Sequence, residues 1–110
     1  GMIDVERYDL EGDRPILHGL IDHLDLNLAK QAKTNEQKIP FINAIIGIET
    51  ISPRLKQSLT EIGKSITTWP QLASSVILGG AITCHVCRNI LLNQFNKSGR
   101  YYVDLDKIIN

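Results

Sequence analysis

The sequence predicts an all-α fold: a small bundle of four or five helices with a short extended C-terminal strand and a final helical turn. Three observations lead there. Three starts combining a capping residue with a proline, at Asp13-Arg14-Pro15, Ser52-Pro53 and Thr68-Trp69-Pro70-Gln71, each precede apolar residues at helical spacing. Aromatic residues make up only 5% of the chain, which leaves the core to Ile and Leu. With 110 residues, 43% apolar and 22% charged, the chain reads as one domain over 1–110, long enough to remove roughly two-thirds of its unfolded surface from water.

Residues 1–12 alternate charged and apolar groups and read as an N-terminal arm or short edge strand. Asp13 then offers an N-cap and Pro15 falls in the first turn, where its missing N–H costs nothing. Leu17, Leu20, Ile21, Leu24 and Leu28 share an arc of about 100°, which predicts a first helix fading near Lys33. Thr34 to Lys38 reads as a polar connector. Pro40 opens a second helix through Phe41, Ile45, Ile48 and Ile51, although its β-branched residues and Gly47 also suit a strand. Ser52-Pro53 starts a third helix on Leu55, Leu59 and Ile62, ending at Gly63. Thr68 to Gln71 fits a capping box, so a fourth helix begins at Trp69.

From there Leu72, Val76, Gly80, Cys84, Cys87, Leu91 and Phe95 stay within an arc of about 140°, which permits one helix through Gly79-Gly80 or two broken at the glycines. Because Leu78, Ile82 and Leu92 lie off that arc, the segment is apolar almost all round and reads as the central, buried element. Polar residues from Gln71 to His85 interrupt it, so no membrane span is expected. Residues 96–110 form a turn, a strand over Arg100 to Val103, and a last helical turn capped by Asp104.

Net charge is zero overall but uneven, with −5 over residues 1–29, +3 over 30–64 and +2 over 65–110. No polybasic face of the kind a strong nucleic-acid binder carries emerges from it. No basic segment followed by an apolar run and a small-residue cleavage site opens the chain, and Cys84 and Cys87 cannot make a spaced disulfide framework. Both point to a cytoplasmic setting.

Cys84-His85-Val86-Cys87 has the spacing of half a zinc site, but no second pair of ligands accompanies it. His18 and His23, five apart, diverge by about 140° on a helix. The two thiols read as small apolar groups on one helix face, and His18 with Asp22 as a surface pair. Ser74 and Ser75 lack a base at recognisable spacing, and no Gly-rich phosphate cradle follows a strand. Neither a metal, a cofactor nor a small-molecule substrate is implied.

Arg88-Asn89-Ile90-Leu91-Leu92, the turn Lys97-Ser98-Gly99 and the run Arg100 to Asp104 together resemble the recognition helix, turn and wing strand of excisionase-type winged helix-turn-helix proteins. That resemblance implies DNA contacts from Arg88, Lys97 and Arg100, with Gln71-Leu72-Ala73 as the first motif helix. The pair Arg88-Asn89 with Asn93 and Phe95 is also similar to the active segment of HEPN-type ribonuclease toxins. In that family the last two positions are His and Tyr, so this resemblance implies an inactive relative.

The reading that emerges is a non-enzymatic helical interaction module that self-associates, with the DNA-binding regulator as its alternative. Its candidate partners are a second copy, another protein or DNA. An interface would use Trp69 as an exposed aromatic and Gly79-Gly80 as a notch where another backbone approaches. Self-association follows from the circumference of the segment Pro70 to Phe95, which is more apolar than a small bundle can cover.

Overall fold

Side-chain caps, more than apolar stripes, decide where helices begin in this chain. The computed structural model describes residues 1–109; Asn110, the last residue of the expected domain, lies outside the described residues. Asp25 accepts a hydrogen bond from the Asn27 amide at 2.9 Å and opens α1 (Leu26–Gln31). At α2 (Asn35–Ile46) the Gln37 amide donates to Thr34 Oγ1 at 3.3 Å and the Thr34 amide to Gln37 Oε1 at 3.2 Å, a reciprocal capping box. Ser52 accepts from the Leu55 amide at 3.2 Å, with Pro53 in the first turn, and opens α3 (Pro53–Thr60). After the uncapped α4 (Ala73–Leu91), Asp104 accepts from the Asp106 amide at 3.1 Å and opens α5 (Leu105–Ile108).

Two strands complete the chain: β1 (Met2–Val5) and β2 (Gly99–Tyr102). They pair antiparallel with Met2 opposite Tyr102 and Val5 opposite Gly99. This corrects the all-α expectation. About 51% of the chain is helical, but the two-stranded sheet makes the fold mixed α/β. The physical reason is cross-strand: the alternating pattern of the N-terminal arm places Asp4 opposite Arg100, and Arg100 Nε donates to Asp4 Oδ2 at 2.9 Å.

Four further expectations are corrected. The helix expected from Asp13 does not form: Pro15 is extended, and Leu17, His18 and Gly19 are all left-handed, making a 3₁₀ turn over Ile16–Gly19. Polar residues explain the delay, since Asp25 competes for backbone amides better as a cap than as an interior residue. Thr34 to Lys38 is not a connector but the first turn of α2, and Pro40 lies inside that helix rather than at its start. The third helix stops at Thr60, short of Gly63, whose amide instead bonds the Ile66 carbonyl at 2.7 Å. The fourth begins at Ala73 rather than Trp69. A start at Trp69 would need that residue helical directly before Pro70, a conformation proline disfavours.

The chain falls into two compact units, Gly1–Arg14 with Gln71–Asn110, and Pro15–Pro70. In the first, α4 packs on β1 and β1 on β2. Val5, at 6% exposure, is the one buried apolar residue among those described. In the second, α1 meets α2, and α2 ends on Gly47, which is left-handed and donates its amide to Asn43 O at 2.9 Å before a 3₁₀ turn over Ile48–Thr50.

Candidate functional site

The features that bear on function gather on α4. It runs unbroken through Gly79-Gly80 for 19 residues, about 28 Å at 1.5 Å per residue. Its half-buried row is Leu78, Ile82, Val86 and Ile90. Thr83, Val86, Cys87 and Ile90 line a shallow groove of about 340 Å³ with residues 2–7. Most of the arc that runs from Leu72 to Leu91 therefore faces solvent. Val76 is 56% exposed, Leu91 82%, and Gly80, Cys84 and Cys87 are exposed as well. A segment expected to be central and buried carries no buried residue. The helix has two apolar arcs, and periodicity does not say which of them the strand covers. By length and composition α4 is also able to cross a membrane.

The segment between α4 and β2 is held by the chain's N-terminal segment. Arg7 Nη1 donates to the Phe95 carbonyl at 2.7 Å, and its amide donates to Ser98 Oγ at 2.9 Å. The same guanidinium grips Asp9 with two bonds, of 2.8 and 2.6 Å. That pairing holds the Asp9 carboxyl below its usual range and raises Arg7. Ser98 Oγ donates to Glu11 at 2.6 Å, which lowers Glu11. Phe95 meets Tyr101 edge-on, with ring centroids 6.0 Å apart.

Beside the exposed apolar arc sits a polar trio. Arg88 Nη2 lies 3.1 Å from His85 Nδ1, and the Asn89 side-chain amide lies 3.0 Å from Nε2. Arginine has no acceptor, so Nδ1 accepts from Arg88, while the atom that Asn89 turns to Nε2 is its amide nitrogen. The pair Arg88-Asn89 was visible in the sequence; His85 as its partner was not, although its spacing of three and four residues is that of helix-surface neighbours.

The residues expected to touch DNA are dispersed in role. Arg88 is exposed and bonded to His85, and Lys97 is exposed on the turn before β2. Arg100 is only 9% exposed at its side chain and is engaged with Asp4. Gln71-Leu72-Ala73 forms no separate helix, because Ala73 is the first residue of α4. β2 pairs with the N-terminal β1 rather than with a neighbouring wing strand. Of the HEPN-like positions, Asn93 is left-handed just beyond α4 and Phe95 packs on Tyr101.

Of the interface candidates, Gly80 is exposed, Gly79 half-buried, and a Cβ on either would meet open space. Trp69 belongs to the other unit and is 53% exposed. Cys84 and Cys87 are free and exposed. Among the described residues no three His, Cys, Asp or Glu side chains converge as metal ligands would.

No family model matches the chain, and no solved structure matches it. Among known proteins, the uncharacterized protein MT1398 of Mycobacterium tuberculosis (strain CDC 1551 / Oshkosh) is similar to it, 34% identical over 110 residues. The match covers all of this chain but 15% of the relative, so the chain spans a small part of that longer protein.

Proposed function

We propose that this chain is a non-enzymatic interaction module whose working surface is the exposed apolar row of α4. The observation that carries the reading is a five-turn helix presenting Val76, Ile77, Cys84, Cys87 and Leu91 to solvent with no charge among them. Contiguous apolar surface of that kind marks an interaction site on a soluble protein. The polar trio beside it supports a binding rather than a chemical role, because both nitrogens of His85 are flanked within 3.1 Å by side chains of its own helix. The setting proposed is the cytoplasm, where exposed thiols stay reduced.

Maleimide labelling of Cys84 and Cys87 in intact cells that naturally make the protein tests this reading. A covered face leaves both thiols at least tenfold slower to label than in the denatured chain, and Ile77→Glu restores fast labelling while helix content is kept. Labelling at the rate of a free thiol in the native chain overturns the reading.

A further inference from the structure

The exposed row of α4 has a spacing that says more than apolarity. Ala73, Ile77, Gly80, Cys84, Cys87 and Leu91 follow one another at intervals of four, three, four, three and four residues, the a/d seam of a helix pair. On the helical wheel they lie within an arc of about 80°, and each is exposed. Val76, also exposed, flanks them. The groove against β1 is lined from α4 by Thr83, Val86, Cys87 and Ile90, so Cys87 stands at the edge of the seam and the other five lie clear of that groove.

Residue sizes along the seam determine its direction. In a parallel, in-register pair each residue meets its own copy, so Gly80 faces Gly80 and a gap without Cβ atoms opens at mid-helix, while Leu91 crowds Leu91. Interiors pack densely, and both a void and a crowded layer are unfavourable. In an antiparallel pair centred level with Ile82, Leu91 meets Ala73, Ile77 meets Cys87, and Cys84 meets Gly80. Every layer then combines a larger residue with a smaller one. The arrangement is also isologous, closing on itself through a two-fold axis without leaving a second sticky surface.

Resting on the reading of α4 as an interaction surface, we infer that its occupant is a second copy of this chain, seated antiparallel through Ala73, Ile77, Gly80, Cys84, Cys87 and Leu91. Five turns of helix from each copy, with Ile77 72% and Leu91 82% exposed before pairing, supply roughly the 1,000 Å² that a specific interface needs. Gly80, with open space where a side chain would stand, sets the point of closest approach.

Cysteine placement makes the direction measurable. In the antiparallel pair the two Cys84 residues are offset by four positions, about 6 Å along the axis. Added to an interaxial spacing of 8–10 Å, this puts them beyond disulfide reach. In a parallel pair they face each other. The 110-residue chain is examined by sedimentation equilibrium over a hundredfold concentration range, and by non-reducing gels after mild oxidation of the wild type and of an Ile77→Cys, Cys84→Ser double variant.

The expected result is a monomer–dimer equilibrium, weakened at least tenfold by Gly80→Leu with helix content unchanged. The double variant should cross-link through its introduced thiol and Cys87 of the other copy, at least tenfold faster than the wild type. Wild-type cross-linking as fast as the variant's overturns the antiparallel arrangement. A monomeric mass throughout, or a monomer that co-sediments with phosphatidylcholine vesicles, overturns the second copy as occupant. Should the thiols nevertheless be protected in cells, the interaction surface stands and only the identity of its occupant falls.

Discussion

The two units of this chain are built on opposite principles. In Pro15–Pro70 the bonds that define structure are local: Asp25 to Asn27, Thr34 to Gln37, Ser52 to Leu55. In the unit made of the two chain ends they are remote, joining Arg7 to Phe95, Ser98 to Glu11 and Arg100 to Asp4. Local caps each stabilise one helix end and add up nearly independently. Remote bonds hold only if all the segments they join are in place, so loss of one loosens the rest.

The largest effect expected from this contrast is at Arg100. Arg100→Ala removes the cation opposite Asp4, which is 18% exposed at its side chain, and should cost about 2 kcal/mol. The tyrosines all lie in the end-built unit and Trp69 in the other, so the two can be followed separately. Amide exchange in β1 and β2 should accelerate on the order of a hundredfold, with the Trp69 emission transition left in place. A shift of both signals together would show that the units are one cooperative structure.

A smaller effect is expected at Thr34. Thr34→Ala removes one half of the capping box of α2 and should destabilise Pro15–Pro70 by about 1 kcal/mol. Urea unfolding followed at Trp69 reads it. No change at Trp69, with faster exchange in β2 instead, would invert the comparison.

The smallest effect is pH dependence of the Arg7 clamp. Asp9 and Glu11 are both lowered from usual values of 3.8 and 4.5. Their contribution is therefore full above those values and is lost as pH falls through the lower folded ones. Both are solvent-exposed, which keeps the effect small. Acid titration of wild type against an Asp9→Asn, Glu11→Gln double variant measures it; superimposable curves between pH 5 and 2 would remove the two carboxylates from the clamp.

Legibility in the sequence follows the same division. Ser52-Pro53 and Asp104 were readable because a cap depends on residues within one or two turns, whereas one helix or two through Gly79-Gly80 fitted the apolar pattern equally well. Thr34-Asn35-Glu36-Gln37 carried an equally plain signature that its polar composition masked. Pairing of β1 with β2 was not readable, since nothing in Met2-Ile3-Asp4-Val5 names a partner at the other end of the chain. For the candidate site, the apolar arc of α4 was legible residue by residue, but its direction was not. Which of two apolar arcs meets solvent depends on where β1 lies, and β1 is placed by Arg100 and Ser98, far from the helix in sequence.

The pairing of β1 with β2 also has a consequence during synthesis. β1 (Met2–Val5) is made well before its partner strand β2 (Gly99–Tyr102), a wait of about 5–20 s at 5–20 residues per second. Throughout it Ile3 and Val5 have no strand to pair with, whereas each cap of Pro15–Pro70 is complete within a few residues of being made. Synthesis therefore completes the caps of Pro15–Pro70 before β1 can pair with β2.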